Sequence, residues 1–150
     1  MDKKFVNTKN SRPGDKYEDV IREIAEQKVC PFCPDQLKNF HKNPILIDGQ
    51  FWLTTDNMYP YPNTKNHIIF IHKEHIENEN EISAPAWQEL HSQITEISTK
   101  RNITGGSILL RFGDTNYTGA SVTHLHAHLI QSDPDDEKYN DQTGLMARVG

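Results

Sequence analysis

The sequence has 150 residues, 35% hydrophobic and 25% charged, enough for one domain with a single core. Its 16 Lys and Arg stand against 21 Asp and Glu, a formal net charge of −5, which argues against an extended nucleic-acid surface. No apolar run approaches the roughly 18 residues of a membrane span, and residues 1–16 lack the apolar stretch of a secretory signal, so a cytoplasmic protein is expected.

Residues 1–16 are polar, with Pro13 and Gly14, and read as a flexible N-terminal arm. Asp15 is placed to cap a helix in "YEDVIREIAEQK", where Tyr17, Val20, Ile21, Ile24 and Ala25 fall at helical spacing. Pro31 in "CPFC" prevents its continuation. "PILIDGQFWLTT" predicts a hairpin turning at Asp48-Gly49. The loop "DNMYPYPNTKN" leads to a strand at "HIIFIH", and after the turn segment "KEHIENENEIS" the spacing of Trp87, Leu90, Ile94 and Ile97 predicts an amphipathic helix over 85–100. Gly105-Gly106 break that pattern before a strand at "SILLRF", and the loop "GDTNYTGAS" joins it to "THLHAHLIQS". Residues 132–150 form a polar tail in which "GLMARVG" is a candidate edge strand. The expectation is an α+β domain over 17–131, a mainly antiparallel sheet of about five strands with two main helices and one sheet face covered.

Two clusters carry chemistry. His124, His126 and His128 alternate, so in a strand all three imidazoles share one face while Leu125, Ala127 and Leu129 share the other. The histidine face is open to three readings: a solvated strand, a catalytic metal site, or a neutral imidazole acting as nucleophile toward phosphorus. The preceding loop, rich in Gly, Ser, Thr and Asn, can present N–H groups and hydroxyls to an anion. Cys30 and Cys33 are the only cysteines. They read as unpaired thiols, as a redox dithiol, or as half of a tetrahedral zinc site that His75 and His124 would complete. A thioredoxin-type dithiol belongs in a βαβ context, which this chain lacks.

"HLHAHLI" resembles the His-φ-His-φ-His-φ-φ signature of the histidine-triad (HIT) nucleotide hydrolases and transferases. "CPFC", "NMYPY", "HIIFIHKEHI" and "GAS" follow that family's order, and the resemblance spans roughly 29–131. It is strongest toward the zinc-containing bacterial members and the diadenosine-polyphosphate hydrolase and phosphorylase branch. The resemblance implies a HIT-like fold and a nucleotidyl-histidine intermediate formed by His126 on a nucleotide α-phosphorus. By the same resemblance His128 contacts phosphoryl oxygens, Ser121 the bridging or leaving oxygen, and His67 supports the site as a fourth histidine. Phe32 then lines the base pocket, Asn57 meets the ribose, and Cys30, Cys33, His75 and His124 hold a structural zinc. The implied substrates are diadenosine polyphosphates or nucleoside phosphoramidates, and many members are homodimers.

Several positions depart from the pattern. His72 stands at a usual proline, the loop before His67 is about two residues longer, and the aromatic C-terminal extension is absent. Gly113 occupies the place of a loop Asn, for which Asp114 or Asn116 is the candidate substitute. A rival reading from another class is a non-catalytic, zinc-stapled nucleotide-binding or interaction protein.

Overall fold

The unbroken apolar run in "HIIFIH" dictates a strand whose two faces are both apolar. Ile68 and Phe70 point one way, Ile69 and Ile71 the other, and all four are buried. Such a strand belongs in the middle of a sheet covered on both sides. In the computed structural model, which describes residues 3–150, this is strand β3 (Thr64–His72), the centre of a five-stranded antiparallel sheet. The others are β1 (Ile45–Asp48), β2 (Trp52–Asp56), β4 (Ser107–Leu110) and β5 (His126–Ser132), in the order β1-β2-β3-β5-β4. Helices α1 (Lys16–Gln27), α2 (Pro34–Phe40), α3 (Ala84–Lys100) and α4 (Thr115–Thr118) complete the domain. Among the described residues no helix is long and apolar enough to cross a membrane.

The main core lies on the α3 face, where Trp52, Ile68, Phe70, Ala127 and Leu129 meet Ala86, Leu90 and Ile97 of the helix. Its polar atoms are paired: Trp52 Nε1 donates to Ala86 O at 2.8 Å and Gln93 Nε2 to Trp52 O at 3.1 Å. Both faces of the sheet are covered, where one was expected. On the far face Ile69 and Ile71 pack with Leu37 of α2 and Phe32, and Val6 and Val122 pack with Ile21 and Ile24 of α1. Helix α2 escapes the sequence pattern because Pro31 ends helical structure while Pro34, three residues on, sits in the first turn of a new helix, where a missing N–H costs nothing. Asp15 caps α1 as expected, accepting from Tyr17 N at 3.4 Å.

The N-terminal segment differs from the flexible arm that its polarity predicted. Thr123 N donates to Phe5 O, Asn7 N donates to Ser121 O at 2.8 Å, and the Asn10 side chain donates to the carbonyls of Thr115 and Ala120 at 2.8 Å each. Polar composition hides this docking because the Asn10 amide is spent on main-chain acceptors and the Asn7 amide on Thr115 Oγ1, while Val6 is buried. No strand follows Ser132 among the described residues, so "GLMARVG" is not an edge strand. It lies against the end of β4 instead, where Arg111 Nε donates to Arg148 O at 3.1 Å.

The β1–β2 turn is clamped to α3 by Glu89, whose carboxylate accepts from the backbone N–H of Gln50, Phe51 and Trp52. A Cβ on Gly49 would collide with that carboxylate. Glu89→Ala is therefore expected to cost about 2 kcal/mol in urea unfolding, through donors left unpaired. Gly49→Ala, which displaces the same clamp, should cost about 1–3 kcal/mol. Their double mutant should fall clearly short of the sum.

Candidate functional site

The register of β3 on β5 builds the site. Ile71 lies opposite His126, Ile69 opposite His128 and His67 opposite Ile130, so His67, His126 and His128 share the face away from α3. His126 and His128 line a cavity of about 440 Å³ walled by Tyr17, Phe32, Phe40, Tyr59 and Tyr61, with Ser121 at its edge, and His67 backs His128 from behind. His67 and His128 are buried and His126 is half-buried.

Hydrogen bonds assign the proton on each ring. Tyr61 N–H, which can only donate, points at His67 Nδ1 at 3.0 Å, so a neutral His67 carries its proton on Nε2. That atom is 2.9 Å from His128 Nδ1, which must accept. The His128 proton is thereby placed on Nε2, a buried atom with no hydrogen-bond partner among the described residues. His126 Nδ1–H donates to its neighbour's carbonyl, His124 O, at 2.7 Å, leaving the lone pair on Nε2. One imidazole is thus prepared as a lone-pair donor and the next as an N–H donor.

All three rings are kept neutral. Burial is the main cause throughout, pushing the pKa of His67 to about 4 with the positive charges of Arg12 and Arg111 adding to it. Burial also takes His126 to about 4 and His128 well below its ordinary value. At the edge, Tyr17 Oη makes a short hydrogen bond with Ser121 Oγ, and burial raises Tyr17 to about 12, so the phenol keeps its proton.

The second cluster lies at the other end of the same turn. His124 is fully buried, and its Nε2–H donates to His72 O at 2.6 Å. This turns Nδ1 toward Cys30 Sγ at 3.3 Å and Cys33 Sγ at 3.7 Å. His75 Nε2–H donates to Glu77 Oε1 at 2.9 Å, with Nδ1 3.4 Å from Cys33 Sγ. The four donor atoms lie within 4.8 Å of one another. Donors about 2.0–2.3 Å from a tetrahedral zinc stand about 3.3–3.8 Å apart, so this set fits a metal ion, with both imidazoles oriented by outer hydrogen bonds. Burial raises the Cys30 thiol to about 12, a cost that a cation removes.

The remaining expected residues divide. Phe32 lies edge-on to His126, centroids 5.0 Å apart, and lines the cavity. Asn57 also lines it, with Oδ1 accepting from Tyr59 N at 2.8 Å and Nδ2 3.2 Å from His67 Nε2. Asp114 and Asn116 are not brought to the histidines. Asp114 caps α4, accepts from Asn116, and with it lines a separate surface depression beside Lys4 and Lys9. The residues expected to replace the loop Asn at Gly113 thus serve a helix cap instead. Arg12, Tyr17, Tyr61 and Arg111 line the cavity without having been singled out. Arg12 and Tyr17 lie in or beside the segment expected to be a flexible arm, Tyr61 ends "NMYPY", of which only Asn57 has an implied role, and no motif marks Arg111.

No family model matches the chain, and no curated protein does. Solved structures do. A zinc-bound histidine-triad family protein from Mycobacterium smegmatis shares 15% identity at a TM-score of 0.52, covering 76% of this chain and 78% of that one. A HIT family hydrolase from Clostridium thermocellum shares 21% identity at 0.52, covering 68% and 90%. A hypothetical histidine-triad nucleotide-binding protein from Sulfolobus tokodaii shares 20% identity at 0.57, covering 79% and 80%. The sheet, its flanking helices and the histidine strand therefore form a histidine-triad fold.

Neutral buried histidines make stability fall with acid. Unfolded histidine titrates near 6.5. His67, held neutral in the fold to about 4, makes the unfolded chain the stronger proton binder between those values, so stability is lost as pH falls through that window. Its share at pH 5 is about 1–2 kcal/mol. The urea midpoint should drop from pH 7 to pH 5, and His67→Gln should shallow that dependence.

Proposed function

We propose that this protein is a nucleotide hydrolase or transferase that cleaves a nucleoside phosphoanhydride or phosphoramidate through a nucleotidyl-histidine intermediate on His126. The observation carrying this reading is the tautomer pattern, with a lone pair on His126 Nε2 beside an unpartnered N–H on His128 Nε2. The likeness of the fold to a HIT family hydrolase and to a hypothetical histidine-triad nucleotide-binding protein supports it.

His126 Nε2 attacks the α-phosphorus, forming a P–N bond as the bond to the leaving group breaks. His128 Nε2–H donates to a phosphoryl oxygen as charge builds there, and His67 holds His128 in that tautomer. The Ser121 hydroxyl, backed by the protonated Tyr17 phenol, donates to the departing atom. Water or another acceptor then takes the nucleotidyl group, returning His126 to its neutral form. Phe32 and the tyrosine walls hold the base, and the Asn57 amide NH2 is the donor offered to the ribose.

Cys30, Cys33, His75 and His124 would hold zinc in a structural role. Bound there, the metal supplies a cross-link between the α1–α2 junction, the segment after β3 and the approach to β5. The purified protein is expected to carry one zinc per chain by elemental mass spectrometry. Cys30→Ser should abolish that stoichiometry, and a chelator should lower the melting temperature by about 10 °C.

The catalytic test is intact mass after brief exposure to diadenosine tetraphosphate or adenosine phosphoramidate, quenched without acid. One adenylyl adduct is expected on the wild type and none on His126→Ala. Nucleotide binding by the folded, zinc-loaded protein with neither adduct nor turnover would instead make it a binding protein.

A further inference from the structure

Arg111 follows β4, the strand that pairs with the histidine strand. In that pairing Leu109 lies opposite His128 and Leu110, the last residue of β4, opposite Ala127, so Arg111 leaves the strand on the face of Leu109 and His128. Opposed residues of an antiparallel pair share a face, with Cβ atoms about 4.5–5.5 Å apart. The guanidinium accordingly lines the same cavity as His126 and His128.

Its hydrogen bonds all go to uncharged acceptors. Nη1 donates to Tyr61 Oη at 3.1 Å, while Nε and Nη2 converge on the main-chain carbonyl of Arg148. This pair of donors is the fork with which a guanidinium takes the oxygens of a phosphate or carboxylate, and a carbonyl is a neutral occupant of it. A second donor at the same cavity, His128 Nε2–H, has no partner among the described residues. A fixed cation and a buried N–H facing one mostly apolar chamber call for an anion between them.

We propose that Arg111 is a substrate-binding catalytic residue whose Nε and Nη2 take the oxygens of the phosphorus that His126 attacks, displacing the Arg148 carbonyl. The assignment rests on reading His126 as the nucleophile. It also means that the segment Met146–Arg148, which lines the cavity, shifts when a nucleotide enters.

The test uses the full-length, zinc-loaded protein and calorimetric titration with AMP and with adenosine, which differ only in the phosphate. Wild type should bind AMP at least about tenfold more tightly than adenosine, as a charge-assisted fork implies. Arg111→Gln should shrink that ratio to within about threefold while keeping adenosine affinity, and Arg111→Lys, with the charge but not the fork, should fall between. An undiminished AMP-to-adenosine ratio in either variant overturns the proposal, and the Lys variant decides alone if the Gln variant does not fold. Where adducts form, Arg111→Gln should slow their appearance about 100-fold. A wild type that makes no adduct yet loses its AMP preference on Arg111→Gln would overturn the nucleophile reading and the catalytic part of the role, leaving Arg111 a phosphate binder.

Discussion

The register of β3 against β5 is the constraint on which everything else depends. It sets Ile71 opposite His126 and Ile69 opposite His128, and it places Ile68, Phe70, Ala127 and Leu129 together under α3. Side chains alternate with a period of two, so a slip of one residue would send the imidazoles into the apolar core and the core residues into the cavity. The penalty for burying His126 and His128 among Trp52, Leu90 and Ile97 excludes that alternative. The same apolar packing that stabilises the domain thus also aims its chemistry.

Given that register, a single amide proton propagates order across the site. Tyr61 N–H cannot accept, His67 must therefore accept on Nδ1, and the proton positions on His67 and His128 follow in turn. Loop residues flanked by Pro60 and Pro62 hold that amide in place. Burial then suppresses protonation, so the pattern of donors and lone pairs persists far below the pH at which free imidazole would titrate. A chamber of aromatic walls is what makes neutral histidine the stable form, and neutrality is what preserves the lone pair on His126.

Much of this was legible from the chain. The alternation of "HLHAHLI" implied one shared imidazole face, the Cys-x-x-Cys spacing asked for two further ligands, and the periodicity over 85–100 matched α3 (Ala84–Lys100) closely. What escaped was built from long-range pairing. Helix α2 is seven residues long and begins one residue after Cys33, too short to show a period. The docking of residues 5–12 depends on Asn7 and Asn10 meeting carbonyls more than 100 positions away. Arg111 is an unremarkable cation in the sequence until the pairing of β4 with β5, which ends one residue earlier, brings it to the cavity that His126 and His128 line. Asp114 is ambiguous in the sequence because a helix cap and a loop ligand use the same residue types.

His124 belongs to two centres at once. Its ring faces the thiols of Cys30 and Cys33, while its carbonyl receives the Nδ1 proton of His126. A rotation of that residue which improved one set of contacts would tilt the other, because ring and peptide plane are joined through a single Cα. The four-donor cluster and the imidazole next to it are thus mechanically one part. Sequence change at either is filtered through the geometry of both, and neither can drift alone.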